Sequence, residues 1–543
     1  ARTGLLWVAS LGVRAVDGLI GNLASALRKT VAVTLTAGLT FTAVAFGSPT
    51  LSQASSGAPG TLDPSFNTGT GFSGNPSAPN TITVQSDGKI VVGGFFSGYQ
   101  GEAASGLVRL NSDGSRDTTF DVGGAGVDGS VEAIVQQPDG KLLIGGAFTT
   151  YQGDPHPDLV RVLPDGTADP SFSLGSGFTD QVSAVTLAPN GDVYVAGFFQ
   201  GFDGTNTGGL VRLNSDGSRD TSFNPGSTNF GGLAPIFAMQ IQSDGKLVVG
   251  GEFTAVDSVT VGNIARLNTD GSLDPSFTAG TGANGNVYGI APQPDQKLIV
   301  TGEFTQFAGQ SYASLVRLGS NGTVDSSFAP SGIALDGQAN RAAVQPNGKV
   351  VVVGNFESYL GSPNGIAQFN PNGSLDTGFN PGGSGFVGGV NSLALQSNGN
   401  IMAGGFVDSY NGQPVNNVAR LFGGPVLIQQ PTKNCVVLGK TKKLPLRGTK
   451  KLMKPQCKTN AGNRIGVDAS AKLRGDVRAF RLYCQVTKKK TAKTIGSNGT
   501  RICRKGSLKV RTYGQPITLR VTWSAPATRT YIAYTQTKTF RAR

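Results

Sequence analysis

The chain has 543 residues, 80 of them glycine, one histidine, and a formal net charge of +13. That length exceeds one ordinary domain. Glycines that recur at fixed intervals exclude low-complexity disorder as their cause, and a single histidine leaves histidine-based catalysis one candidate. The charge is unevenly placed: residues 1–60 carry net +3, residues 61–421 net −16 and residues 422–543 net +26. The chain therefore reads as an acidic body followed by a basic tail.

Arg28-Lys29 precede an apolar run from Val31 to Gly47, and Ser52-Gln53-Ala54 place small residues at −3 and −1 of a cleavage after Ala54. This pattern predicts a secretory signal peptide over residues 1–54, with an upstream extension. The 17-residue run with its four threonines is short for a retained span. No twin arginine is present, so the general secretion route is expected, to an extracellular or cell-surface location. Residues 55–60 read as a linker.

Residues 61–421 are organised by a repeat. Gln85-Ser-Asp-Gly-Lys-Ile-Val-Val-Gly-Gly-Phe-Phe96 returns seven times in recognisable form, as in Gln137–Phe148 and Gln242–Phe253. A second motif, Val108-Arg-Leu-Asn-Ser-Asp-Gly-Ser-Arg-Asp-Thr-Thr-Phe120, alternates with it. Its closing phenylalanines, Phe66, Phe120, Phe172, Phe223, Phe277, Phe328 and Phe379, are spaced by 51 to 54 residues. Each period reads as four short strands joined by Asp-Gly turns, a strong hairpin signal. A period of this size, with this many strands, predicts a propeller blade. The paired glycines of the strongest strand point to a close approach by another backbone. The array opens at Thr61-Leu-Asp-Pro-Ser-Phe66, a last-strand motif with no blade before it. It ends at Val418-Ala-Arg-Leu421 without that motif. Pairing the two predicts closure of seven four-stranded blades into a ring.

Asn111-Ser-Asp-Gly-Ser-Arg-Asp117 and Gln85-Ser-Asp-Gly-Lys89, continuing through Gly93-Gly94, resemble the delta-60 repeat, a bacterial β-propeller repeat. The resemblance covers about residues 61–421. It implies the propeller fold and a secreted or surface-exposed bacterial protein, and it implies no activity.

Residues 422–543 read as a separate domain. Alternating β-branched and aromatic residues at Val477–Val486, Leu508–Arg511, Thr518–Trp523 and Thr530–Phe540 predict strands of a small Ig-like sandwich. The fold class expected is thus all-β. Basic clusters lie at Lys440–Lys443, Lys450–Lys454 and Lys488–Lys493. The chain's four cysteines, Cys435, Cys457, Cys484 and Cys503, all lie here. In an exported domain they imply two disulfides, with the sequence-local pairing Cys435–Cys457 and Cys484–Cys503 favoured among three connectivities.

Each period places an aspartate three residues before the marker phenylalanine: Asp63, Asp117, Asp169, Asp220, Asp274, Asp325 and Asp376. It also places an arginine in the preceding strand, at Arg109, Arg161, Arg212, Arg266, Arg317 and Arg420, with Gln368 in the sixth. One Asp–Arg contact per blade is expected. A residue repeated in every blade serves the blade, because a ligand site needs asymmetry. The Asn-x-Asp-Gly-Ser-x-Asp spacing does not match a calcium loop, since its glycine comes fourth rather than sixth. His156 lies in Asp154-Pro-His-Pro-Asp158 and reads as a solvated loop residue. No nucleophile elbow, zinc-protease motif or phosphate loop appears, so no cofactor, metal or catalytic residue is assigned.

The first reading is an exported, non-catalytic binding or scaffold protein. Its basic tail engages an anionic cell-envelope polymer, and nucleic acid only non-specifically. Its propeller loops that break the repeat, including Tyr151–Asp158, Gly201–Gly208 and Ser227–Pro235, meet a protein or glycan. The alternative is a carbohydrate-active enzyme, a hydrolase or lyase, using propeller carboxylates.

Overall fold

The computed structural model describes residues 57–424 apart from six short loop segments (75–76, 121–125, 225–229, 231–233, 329–334 and 358–362), and then the backbone of ten strands between residues 427 and 542. The leader, the cysteine pairing and the side chains of the basic clusters lie outside the described residues. Every regular element described is a β-strand.

Seven antiparallel sheets follow one another with one three-strand topology, and the seventh adds the ribbon strand Gln413–Pro414 to its long middle strand. Their first strands are Ala78–Val84, Ser130–Gln136, Val182–Leu187, Ile236–Ile241, Val287–Pro292, Gly337–Val344 and Phe386–Leu395. Their middle strands are Ile90–Phe95, Leu142–Ala147, Val193–Gly197, Leu247–Gly251, Leu298–Gly302, Val350–Phe356 and Ile401–Tyr410. A third strand of four residues, such as Leu107–Leu110 or Val418–Leu421, completes each. First strands pack on their neighbours in chain order, and the seventh packs on the first, so the sheets close into a propeller-like ring. The core lies between sheets: Val131 and Ile134 of the second meet Val91 of the first. Met402 and Val418 of the seventh meet Ile82 and Ile90 of the first.

The expected fourth strand is reduced to one bridged pair per sheet, as at Leu110–Arg116 and Val162–Ala168. The reason is local. The Asp117 amide donates to the Arg109 carbonyl at 2.8 Å. The Asp117 carboxylate then accepts the Thr119 amide and hydroxyl, at 3.0 and 2.6 Å. That Asx turn bends the backbone away from the ladder. The N-terminal segment supplies the same element to the seventh sheet. Leu62 bridges Leu421, the Asp63 amide donates to the Arg420 carbonyl at 2.8 Å, and the Phe422 amide donates to the Thr61 carbonyl at 2.9 Å.

Each first strand carries a register shift one residue wide, at Asn80, Glu132, Ser183, Phe237, Tyr288, Asn340 and Asn391. The second glycine of the repeat's pair lies across from each bulge. A Cβ on Gly146 would sit 2.0 Å from the Ser130 carbonyl oxygen. The close approach expected of the glycine pair is thus the partner strand of the same sheet.

A left-handed residue opens each third strand. The seat is held by Gly106, Asp158, Gly209, Asn263, Ser314, Gly365 and Asn417. Asn263 and Asn417 use it to donate their amide NH2 to carbonyls of the following sheet, at Ala283 (3.0 Å) and Ser77 (2.6 Å). Asp158 has no such donor. Burial pushes its carboxyl up to about 6, opposed by the Phe148 amide and reinforced by Asp180 and Asp128.

Beyond residue 424 the strands form two four-stranded sheets and one parallel pair, Leu427–Ile428 with Tyr531–Ile532. One sheet orders Lys443–Leu444, Tyr534–Ala542, Ile517–Ala525 and Gly466–Lys472; the other orders Arg447–Met453, Ser507–Tyr513, Phe480–Val486 and Lys489–Lys490.

Two outcomes follow from this packing. Gly146→Ala forces a Cβ into backbone and lowers unfolding free energy by about 3 kcal/mol, read by denaturant titration. Asp158 has a raised folded pKa, so its stability contribution is full below the unfolded value of 3.8 and lost as pH rises through about 6. Asp158→Asn therefore raises stability at pH 7 by about 1–2 kcal/mol, discounted for partial exposure, and leaves it unchanged at pH 4; thermal melts at the two pH values check this.

Candidate functional site

The repeated aspartates and arginines lie together at the end of the ring that carries the Asp-Gly turns. Asp117 Oδ2 accepts Arg109 Nε at 2.6 Å and Lys89 Nζ at 2.5 Å. Arg109 Nη2 donates to Thr119 Oγ1 at 3.2 Å, and Nη1 crosses to the Pro164 carbonyl in the next sheet's turn at 2.6 Å. The guanidinium lies 4.5 Å from the centre of the Phe120 ring. The same set joins Asp169 with Arg161 and Lys141, Asp274 with Arg266 and Lys246, and Asp325 with Arg317 and Lys297. Asp220 pairs with Arg212, where Asp192 stands in the lysine's place. Asp63 pairs with Arg420 across the seam at 2.8 Å, with Asn400 in the lysine's place.

The sixth sheet departs from the pattern for a visible reason. Asp376 is paired there with Lys349 alone. The next sheet has no Asp-Gly turn after its third strand, so the carbonyl an arginine would reach is missing. Gln345 instead donates to the Gly423 carbonyl at 3.0 Å, and Gln368 donates to Gln345 at 3.0 Å.

Burial pushes the carboxyls of Asp117, Asp169, Asp274 and Asp325 up, but the lysine ammonium, the serine or threonine donors and the arginine outweigh it. They stay ionised well below the usual carboxylate range. These groups are charge-satisfied by their own blades.

The opposite end of the ring is different. The register puts the start of each first strand beside the end of each middle strand, as in Ala78 opposite Phe95. Both therefore lie at one mouth. A bulge re-aims a side chain, and the bulged residues reach the axis: Asn80, Glu132, Ser183, Phe237, Tyr288, Asn340 and Asn391 line one cavity of about 270 Å3. Next to it comes the residue after each second glycine: Phe95, Ala147, Phe198, Glu252, Glu303, Asn355 and Phe406. Phe95, Phe198 and Phe406 are 46%, 39% and 50% exposed. These two positions differ from sheet to sheet, while the surrounding residues repeat.

Within the cavity Asn80 Nδ2 and Ser130 Oγ donate to Glu132 Oε1 at 3.0 and 2.9 Å. Arg341 Nη1 donates to the Tyr288 and Asn340 carbonyls, which fixes the guanidinium in the wall. Burial draws Arg341 down from its ordinary value and Glu132 opposes that; an arginine stays charged regardless. Phe198, Phe237 and Tyr288 form an arc, with ring centres 5.9 and 5.3 Å apart in sequence. The Tyr288 hydroxyl donates to Glu303 at 3.0 Å, and burial raises its pKa.

The loops Tyr151–Asp158 and Gly201–Gly208 are not departures from the repeat. They form the same two-stranded ribbon as Gly98–Tyr99 with Glu102–Ala103, each tip turning through left-handed residues such as Gln152-Gly153 and Asp203-Gly204. Different residues fit one type I′ turn, so sequence divergence there conceals a shared backbone. Most of Ser227–Pro235 lies outside the described residues. His156 packs edge-on to Tyr151, and burial pulls its pKa down against Asp154. No group of histidine, cysteine, aspartate and glutamate that could hold a metal occurs among the described residues. The mouth residues escape a sequence reading tuned to repetition. The available signal was the opposite one, a column that varies inside an otherwise constant strand.

A family model described as a beta-propeller domain of unknown function, DUF5122, matches residues 85–120, 137–172, 188–223, 242–277, 293–328, 345–379 and 396–422. Residues 85–422 carry seven DUF5122 beta-propeller repeats. The DUF5122 matches begin at the turn before each middle strand, Gln-x-Asp-Gly in three of the seven, and all but the seventh end at the marker phenylalanine. They therefore contain the Asp–Arg–Lys set and exclude the bulged first strand. Comparison with curated proteins finds no match. Among solved structures, the chain is similar to a gluconolactonase of Xanthomonas campestris (12% identity, 65% of this chain and 98% of that one, TM-score 0.33). It is also similar to YCF48 of Cyanidioschyzon merolae (11%, 64% and 95%, TM-score 0.36) and to a Penicillium chrysogenum alpha-L-arabinanase (13%, 66% and 97%, TM-score 0.31). Likeness at this level transfers no activity.

Where an aspartate holds two cations, the geometry separates them. Arg317 is buried and Lys297 part-exposed. Arg317→Ala lowers stability by about 3 kcal/mol and Lys297→Ala by about 1 kcal/mol, measured by chemical denaturation at pH 7. Carboxyls held low stabilise fully above pH 3.8 and lose that contribution as pH falls below it, so the gap between wild type and Arg317→Ala narrows on acidification.

Proposed function

We propose that this chain is an exported, non-catalytic binding or scaffold protein that recognises its ligand at the axial mouth of the ring. The observation that carries the reading is where the repeat breaks down. The turn end repeats an Asp–Arg pair in six of the seven sheets, whereas the mouth presents five kinds of side chain at its seven bulged positions around one cavity. A binding site needs that asymmetry. The tail, with net +26 over residues 422–543, attracts an anionic envelope polymer through a strong positive field.

The test is binding of the full chain to isolated bacterial envelopes across a salt series, with assay of released sugars. Retention falls at least tenfold between low and high salt, because exposed charges are screened, and reversal of Lys450 and Lys451 to glutamate weakens it further. No sugar is released. Salt-insensitive retention refutes the electrostatic tail, and turnover lost on changing one mouth carboxylate establishes the carbohydrate-active enzyme instead.

A further inference from the structure

The geometry points to a neutral saccharide ring as the ligand of the axial cavity, stacked on the Phe237–Tyr288 wall. This inference rests on the reading of the mouth as the binding site. Three features of the cavity select the ligand class.

The first is an open aromatic wall. Phe198, Phe237 and Tyr288 stand on three successive sheets and meet edge-on or tilted, not in a closed stack. They line a cavity otherwise walled by amides and charged groups. Aromatic faces left open beside polar groups suit a ligand with an apolar face and polar edges.

The second is the polar part of the lining. Glu132 takes two donors on Oε1, and among the described residues no donor meets Oε2. The Ser183 hydroxyl is buried with no partner among the described residues, and such a group costs stability until a partner satisfies it. Together with Arg341, these are the planar carboxylate, hydroxyl and guanidinium groups that pair with vicinal hydroxyls. A sugar ring offers both a C–H face and such hydroxyls.

The third is charge and size. Arg341 inside the cavity disfavours a quaternary ammonium, which the aromatic arc alone would suit. Glu132, with the exposed Glu252 and Glu303 at the rim, disfavours an acidic sugar. A cavity of about 270 Å3 lies just under the roughly 300–1,000 Å3 of drug-sized sites, so it takes a small ring or the end of a chain.

The experiment is calorimetric titration of the full chain with neutral oligosaccharides of glucose, xylose and N-acetylglucosamine. Oligogalacturonate and choline serve as charged probes. A neutral oligosaccharide binds, Phe237→Ala and Glu132→Ala each weaken it at least tenfold, and Val259→Ser on a surface ribbon leaves it unchanged. All variants are checked by thermal melting; Glu132→Ala keeps the test decisive if Phe237→Ala unfolds. Saccharide binding unaffected by both mouth variants overturns the cavity as the site. Binding of oligogalacturonate or choline but no neutral sugar, lost on the mouth changes, overturns the ligand class while the mouth stands as a binding site. No binding by any probe overturns the saccharide assignment; the envelope assay, repeated with Phe237→Ala, then decides separately whether the mouth binds at all.

Discussion

In six of the seven sheets one guanidinium does three jobs at once. Arg109 closes its own sheet through Asp117, crosses to the Pro164 carbonyl of the next, and covers the Phe120 ring. A planar fork with five donors can do this; a lysine cannot. The lysine on the same carboxylate adds charge from a more exposed position. Removing charges from water is costly unless every donor and acceptor is met, and here the serine or threonine two residues after six of the seven aspartates meets the second carboxylate oxygen, the Gly378 amide doing so at Asp376. The ion pairs that staple the ring are therefore gathered at the turn end, where the sixth sheet uses Gln345 and Gln368 in place of an arginine.

That distribution frees the other end. The second glycine of each pair admits the bulge, the bulge turns one side chain to the axis, and the Asp–Arg staples at the turn end do not involve that side chain. Glutamate, serine, phenylalanine, tyrosine and asparagine occupy equivalent positions without disturbing the frame. The fold separates a repetitive structural end from a variable recognition end.

The seam shows how closely the sequence follows this logic. Leu62 and Asp63 complete the seventh sheet as their counterparts complete the others. At the sixth sheet, Gln368 replaces arginine where the acceptor turn is absent and Gly423 takes its place. A residue that looks like drift along the sequence answers a change in its neighbour.

The sequence by itself determined the period, the strand order, the count of seven and the partners Arg109 and Asp117, because these depend on spacing and on side chains that recur. It misread the fourth strand, since the Asx turn at Asp117 bends away a segment whose alternation still looks extended. It also took Tyr151–Asp158 as an irregular loop, because type I′ tips tolerate Gln-Gly, Asp-Gly and Ala-Gly alike. Only the tertiary structure decided the site. Asn80 and Tyr288 are 208 residues apart and share a cavity because ring closure brings seven bulges to one axis. A bulge is a one-residue shift between two paired strands, and nothing in either strand alone records it.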